Sequence, residues 1–538
     1  MAGVIGGAIG CAESPSQKRQ TVNVADVGQF KAAVANGIPG AIIEVADGDY
    51  SFNDAPLQIR LKGTQELPVI IRAKNRGKAR FTGEYGILLQ DSSYVTLEGF
   101  AVHNRAAKHS LPFALSSDTW LQAMRDEVPY QGSLVVFQSD HCRLTRLRIQ
   151  LDEKRGFTTR QLEERLPRMH WINLAGGQYN RVDHCWIKGQ RNSGSTVLIS
   201  SGENHCRIDH NHFAGRTVGN FNGFETIRLG AGNLFRLFCL IEHNLFENCD
   251  GESEIISFKS SVGRVSHNTF LDCKGMVVAR HANRMTVAYN FFLNRSGKKD
   301  VGGVRIHGND CNVLNNYFES LTGPGLSSAW GDYELPDFPH EDGWFGKYNL
   351  GVKHVSYSRA SRAHIAFNTW LNCASFLNLG DFRRRELANQ NLPPRDWTIM
   401  NNVVVSTGEP FIKGSGETDF RWIGNIFWNP NGPCVVGRDL PEQAVRVVDP
   451  KLEKSEDGLW RLAKGSPAID SARGWYWAAQ HVPGYDVDMD GQERDTTVKV
   501  TTPQVQSEFN LDVGADEYSE APKTLHPLTA ADVGPDAP

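Results

Sequence analysis

Residues 243–293 read HNLFENCDGESEIISFKSSVGRVSHNTFLDCKGMVVARHANRMTVAYNFFL, and within them an asparagine followed by large apolar residues occurs as NLF at Asn244, NTF at Asn268 and NFF at Asn290. Outward from this stretch the phrase returns as NHF at Asn211, NYF at Asn316, NTW at Asn368, NVV at Asn402 and NIF at Asn425. Successive separations are 33, 24, 22, 26, 52, 34 and 23 residues, so the unit lies in the twenties, the 52 is two units, and the longer steps carry inserted loops. A repeat of this size marks a solenoid, in which each unit buries its apolar face by stacking on its neighbours. Short alternating segments such as VTLEGFAV (Val95 to Val102) and RMTVAYNFF (Arg284 to Phe292) lie between Gly and Asn turns, and helical periodicity is nearly absent. Leucine-rich repeats would need regular leucine spacing, and propeller blades longer four-stranded units. The pattern predicts an all-β chain, a single-stranded right-handed parallel β-helix, with Asn at a fixed position of each rung bonding the turn backbone of its neighbours in a ladder.

A chain of 538 residues exceeds the usual size of one globular core, but a solenoid escapes that limit. Residues 21–538 are therefore expected to form one β-helix, with a C-terminal capping region from about 440 to 538. Asp26 can N-cap a short helix through Val34, which would cover the open edge of the first rung. Residues 1–20 stand apart: Met1 to Ala12 read MAGVIGGAIGCA, either the remnant of an export signal with Cys11 as a lipidation site or a disordered N-terminus. Ala8 stands where a lipoprotein signal usually has Leu, and the two readings stand level. The expected place of the protein is secreted, periplasmic or anchored at a bacterial outer membrane.

Hydrophobic residues make up 40% and charged residues 22%, as in a soluble protein, and the formal net charge of −4 argues against a general nucleic-acid binder. An acidic polymer as partner would need local positive charge. No apolar run approaches the length needed to span a bilayer. Of the ten cysteines, Cys249, Cys273 and Cys373 each follow a repeat asparagine by five residues, so they read as small buried side chains stacked in the interior rather than as a disulfide set. The segment from Gly331 to Asn349, GDYELPDFPHEDGWFGKYN, lacks the repeat, is rich in aromatics and acids, and is a candidate wall for a groove; an ordinary surface excursion is the plainer reading.

Counted from the repeat asparagines, Asn222, Glu252, Glu254, Arg280 and Arg305 fall at similar heights on four consecutive rungs, about 4.8 Å apart per step. Glu252 and Glu254 are two apart, so on a strand both carboxylates share a face. Two close like charges need a cation between them or a raised pKa. With the Asn222 amide oxygen the set is all oxygen and incomplete, which suits Ca²⁺; the plain alternative is a solvated acidic pair. Lys259 follows Glu254 by five, an odd step that would face it away, so a bend or bulge between Ile255 and Phe258 is required for it to join the strip.

The segments NGFETIRLG (Asn222 to Gly230), ESEIISFKS (Glu252 to Ser260), RHANRMTVAYNFF (Arg280 to Phe292) and GGVRIHG (Gly302 to Gly308) together resemble the sixth polysaccharide lyase family, which contains alginate lyases and chondroitinase B. Order, residue types and intervals agree over about ninety residues. The resemblance implies a β-helical lyase in which Asn222, Glu252 and Glu254 bind calcium, Lys259 is the base and Arg280 the acid. It also implies that His281 and Arg305 help hold the polymer, with His307, of the same parity as Arg305, a weaker binding candidate. For His281 strand alternation puts the ring opposite Arg280, so a buried structural histidine remains open.

The implied reaction accounts for these residue types. β-Elimination removes the C5 proton of a uronate and breaks C4–O4; a cation on the carboxylate spreads the developing charge, and a lysine of lowered pKa accepts the proton. Arginine is a weak acid, so its part is mainly to stabilise the leaving O4. The expected substrate is alginate, with dermatan sulfate as the alternative, and the expected protein is a monomer. A glycoside hydrolase would need clustered aspartates, which these rungs lack, and a non-catalytic carbohydrate-binding β-helix would tolerate loss of Lys259. Asp486, Asp488, Asp490 and Gly491 open like an EF-hand loop, but position twelve is Thr497 rather than Glu, so the segment reads as a C-terminal turn, with a second calcium the less favoured reading.

Overall fold

The computed structural model describes residues 19–105, 132–152, 169–200, 203–219, 222–230, 236–334, 357–380, 391–408, 410–441, 444–474, 487–496, 498–502 and 505–538, the last strands at 498–502 and 505–509 by backbone alone. Cys11, the inserted residues 335–349, Asp486 and Thr497 lie outside these. Short strands stack in parallel register into one sheet of 12 strands and two of 14, each turn of the chain adding a strand to each sheet. This is the parallel β-helix that the repeat predicts. Among the described residues the single α-helix is Val27–Ala35, N-capped by the Asp26 carboxylate, which accepts the Gln29 amide at 2.8 Å. Its Phe30 and Val34 are buried over the first rungs, sealing the apolar interior.

The asparagine ladder is continuous. Asn244 Oδ1 accepts both the backbone and side-chain N–H of Asn211 at 3.0 Å, Asn268 Oδ1 does the same for Asn244, and the pattern runs on through Asn290, Asn316, Asn368 and Asn402 to Asn425. Each carboxamide thereby satisfies turn amides that the coil buries away from water. The residue before each asparagine adopts positive φ, as His243 (52°), His267 (56°) and Tyr289 (58°) do, and these rings stack 4.8 and 4.9 Å apart. The strained turn is thus offset by ring contact and a fully bonded neighbour. Inside, Phe213, Phe246, Phe270, Phe292, Phe318 and Trp370 form a second column with centroids 4.6–4.8 Å apart. All nine described cysteines are free thiols, and Cys249, Cys273 and Cys373 are buried, as the repeat implies.

The C-terminal region does more than close the last rung. Leu459, Met489 and Ala515 cover the outer side of Phe291, Leu293, Tyr317 and Leu371, and Leu511 and Val513 cover Leu314 and Phe367. The chain then runs back along the coil: Leu528 donates to Thr269 Oγ1 at 2.7 Å, Gly534 to the His210 carbonyl at 2.8 Å, and Arg146 grips the Pro535 and Ala537 carbonyls at 2.8 Å. Outward apolar residues on the middle rungs, which an exposed sheet would not carry, are what this return covers.

Candidate active site

Four consecutive strands of the 12-stranded sheet, Ile227–Leu229, Glu254–Phe258, Gly275–Ala279 and Val301–Ile306, place the chemistry. Their register aligns Arg228, Ser257, Val278 and Arg305 in one row, and Leu229, Phe258, Ala279 and Ile306 in the next. Phe258, Ala279 and Ile306 point into the core. The residues one step beyond them, Lys259, Arg280 and His307, therefore form an outward row on successive rungs.

The odd step from Glu254 to Lys259 is resolved by a register shift: Glu254 pairs with Met276 but Ile256 with Val277, leaving Ile255 as the extra residue of a bulge. Glu254 and Ser257 consequently meet on the outer side, where the Ser257 hydroxyl donates to Glu254 Oε2. Glu254 Oε1 accepts from Arg280 at 3.0 Å and from Arg305. Burial works against the Glu254 charge, but Arg305, Arg280 and Lys259 outweigh it and hold the carboxyl well below the usual range.

Lys259 Nζ donates to Glu225 Oε1 at 3.2 Å, and both side chains are buried. Burial and the nearby Arg228 push the amine below its ordinary value, with Glu225 and Glu254 opposing. Glu225 Oε2 is buried without a hydrogen-bond partner. Glu252 receives the Gly223 amide at 3.4 Å and, among the described residues, has no ion pair; burial, then Glu225 and Glu254, push its carboxyl upward. Asn222, beside Gly223, is exposed. A surplus of carboxylate at Glu252, an orphaned carboxylate oxygen at Glu225 and an adjacent carboxamide suit a hard divalent cation. The carboxylates of Glu225, Glu252 and Glu254 are not all drawn within 4.8 Å of one another; among the described residues the trio that is comprises Asp488, Asp490 and Asp516. There Arg461 grips both Asp490 oxygens, while Asp488 accepts the amides of Asp490, Gln492 and Glu517. Asp516 accepts the Leu462 amide at 2.7 Å, and burial pushes the Asp488 and Asp516 carboxyls upward.

At Arg280 and His281 the strand has ended, and both amides converge on the Phe258 carbonyl at 2.8 and 3.3 Å. Alternation no longer applies, and the His281 ring turns to Tyr333, whose hydroxyl lies 2.8 Å from Nδ1. The Arg280 guanidinium lies 4.4 Å over the Tyr357 ring, and the His307 ring packs 4.6 Å from the same ring. His307 is buried with neither ring nitrogen partnered, and burial with Arg305 and Arg280 holds it neutral, well below the ordinary histidine value. Sequence reasoning missed Glu225 and Tyr357 as individual site residues, and marked Tyr333 only as part of the candidate groove wall from Gly331 to Asn349. Glu225 had a signal, a carboxylate within NGFETIRLG one rung before Lys259; Tyr333 had the aromatic richness of its segment, and Tyr357, beyond that segment, had none.

A family model described as Chondroitinase B matches residues 24–412. No curated protein matches the chain. Among solved structures, the PL6 family alginate lyase AlyGC aligns with a TM-score of 0.63 and 22% identity over 82% of this chain and 55% of that one, so the present chain spans about half of that protein's length. A mannuronic acid specific family 6 lyase from human gut microbiota gives 0.64 and 23%, over 80% of this chain and 91% of that one. The PL6 lyase Pedsa3628 from Pseudopedobacter saltans gives 0.62 and 22%, over 79% and 97%. These structures share the β-helix, and the family match over most of the chain places the protein in the chondroitinase B family of polysaccharide lyases.

Proposed function

We propose that the protein cleaves alginate by β-elimination, leaving 4,5-unsaturated uronate ends. The observation that carries this reading is the row of Lys259 and Arg280 on adjacent rungs, with a buried amine of lowered pKa on one and a guanidinium fixed by Glu254 on the other. Lys259 takes the C5 proton, because burial and Arg228 favour its neutral form. Arg280 faces the departing O4 and stabilises its charge through guanidinium N–H donors other than the one bound to Glu254. Arg305 and His281 hold the polymer, the guanidinium through a uronate carboxylate, while His307, buried against Tyr357, backs the site from beneath. Asn222, Glu252 and Glu254 would hold Ca²⁺, which when bound neutralises the substrate carboxylate as a Lewis acid.

Relatives described as alginate lyases, including complexes with a trisaccharide and with G6, support alginate as substrate. The description of the matching family model favours a second reading, dermatan sulfate. Incubation with each polymer, following ultraviolet absorbance of the unsaturated product with and without chelator, tests both: turnover of neither polymer refutes the lyase reading, and turnover of dermatan sulfate alone replaces the first substrate by the second. An acidic polysaccharide as substrate also fits an exported protein, with Cys11 as a lipid anchor point; acyl labelling in a bacterial host checks the anchor.

A further inference from the structure

The non-repeating segment leaves the coil at Gly331 and returns at Tyr357, and its two ends form a closed stem. Gly331 and Leu392 exchange backbone hydrogen bonds at 2.8 and 2.9 Å, Asp332 N–H donates to the Tyr357 carbonyl at 2.9 Å, and the Tyr357 amide donates to the Asp332 carboxylate at 2.9 Å. Arg359 N–H donates to the Tyr333 carbonyl at 2.8 Å, and Ser358 Oγ donates to the His307 carbonyl at 2.7 Å. A Cβ at Gly331 would stand 2.3 Å from the Arg359 nitrogen, so only glycine permits this closure. The stem is therefore tied by backbone bonds directly to the outward row.

Its two tyrosines address that row. Tyr333 meets His281 at 2.8 Å. Tyr357 lies beneath Arg280, with the guanidinium carbon 4.4 Å from the ring centroid, and its ring also packs against His307 at 4.6 Å. Among the described residues, Arg280 makes one hydrogen bond within the protein, from Nη1 to Glu254 at 3.0 Å, while its buried Nε has none. A single hydrogen bond at one edge leaves the guanidinium plane free to rotate about it. The ring face beneath supplies the second constraint, by cation–π attraction that strengthens where water is excluded.

We propose that Tyr357 is a positioning residue for Arg280: it fixes the guanidinium plane so that N–H groups other than the one bound to Glu254 face the departing oxygen. This inference rests on the lyase reading above. It also gives the non-repeating segment a defined task, delivering an aromatic face to a site that the repeating rungs build without one.

The test is steady-state turnover of alginate, or of dermatan sulfate if that is the substrate cleaved, by full-length Tyr357→Phe, Tyr357→Trp and Tyr357→Leu, with melting temperatures recorded for each. Phe and Trp keep a ring face and are expected to hold kcat within about threefold of wild type. Leu keeps bulk but not the quadrupole, and is expected to lower kcat on the order of tenfold or more with KM nearly unchanged. The inference is overturned if Leu retains full kcat, if its loss appears in KM alone, which would make the ring a substrate surface, or if Phe falls as far as Leu, which would assign the effect to the hydroxyl. If Leu unfolds, Trp decides, with kcat near wild type supporting the assignment and kcat lowered tenfold removing it. Wild type inactive on both polymers refutes the lyase reading and this inference together, whereas active wild type with an equally active Leu variant refutes this inference alone.

Discussion

The amine of Lys259 and the carboxylate of Glu225 lie 3.2 Å apart, on adjacent rungs and away from solvent. Burial and Arg228 lower the lysine's affinity for its proton, and Glu225 restores part of it. A base must be neutral to act, so kcat/KM is expected to rise with pH through the Lys259 ionisation. Glu225→Gln removes the contacting carboxylate, so its rising limb should lie at lower pH than in wild type. A pH–rate profile of both proteins checks this; a limb that stays in place, or moves up, contradicts it.

Removing the base itself should spare the fold, because Lys259 contributes a charge at the end of a strand and nothing to the inner columns. Lys259→Ala is expected to lose at least about a thousandfold in turnover while keeping its far-ultraviolet circular dichroism, with some loss of melting temperature because Glu225 is left buried and unpaired. Retained turnover would point to a different base.

Chelation should silence the enzyme reversibly. With EDTA the initial rate of product absorbance is expected to fall to background, and Ca²⁺ should restore it better than Mg²⁺, whose strict octahedral demand suits an incomplete, carboxylate-rich site poorly. Glu252→Gln should weaken the calcium response without loss of fold. Full activity in EDTA after dialysis would remove the cation from the mechanism.

The ladder makes a prediction about stability. The Asn268 carboxamide accepts two N–H groups of Asn244 and donates to the carbonyls of Ile241 and Ser266 in a buried turn. Asn268→Ala leaves several of these unpaired at once, at about 1–3 kcal/mol each before relaxation. A loss of about 3 kcal/mol or more in denaturant unfolding is expected, and a change below 1 kcal/mol would show that water replaces the ladder.

Glu203 carries an opposite, pH-dependent sign. It is buried with Asn180 Nδ2 at 3.1 and 3.0 Å from its two oxygens, and burial pushes its carboxyl up to about 8. The unfolded chain gives up this proton near the ordinary carboxylate value, so stability falls as pH rises from there to about 8 and then levels. Glu203→Gln removes that penalty: it should be near neutral at pH 4 and stabilising above pH 8, by on the order of 4 kcal/mol or less. Melting curves across that interval check the sign.

The coil was legible because its signal is periodic: the same asparagine, the same apolar pair and the same buried cysteine recur at one height, and each recurrence constrains the others. The strip of Glu254, Arg280 and Arg305 followed from that counting, and Lys259 joined it only through a bulge, which a one-residue count can demand but not locate; the structure puts it at Ile255. Glu225 was hidden by its neighbours in NGFETIRLG, since parity alone does not say which of several polar residues lies under the next rung. Tyr333 and Tyr357 reach the site across a non-repeating segment, and the C-terminal return depends on apolar residues that face outward. Neither leaves a trace in the period.

That return alters how the molecule should come apart. A stack held only by nearest neighbours frays from either end, rung by rung, each loss independent of what happens far away. Here the last residues are fastened to Arg76, Arg146 and His210, which follow the third, fifth and seventh strands of one 14-stranded sheet, so the rungs from there to the C-terminal cap cannot separate without also releasing the strap. The terminal segment lashes the middle of the stack to its far end, and the lashed part fails as one piece.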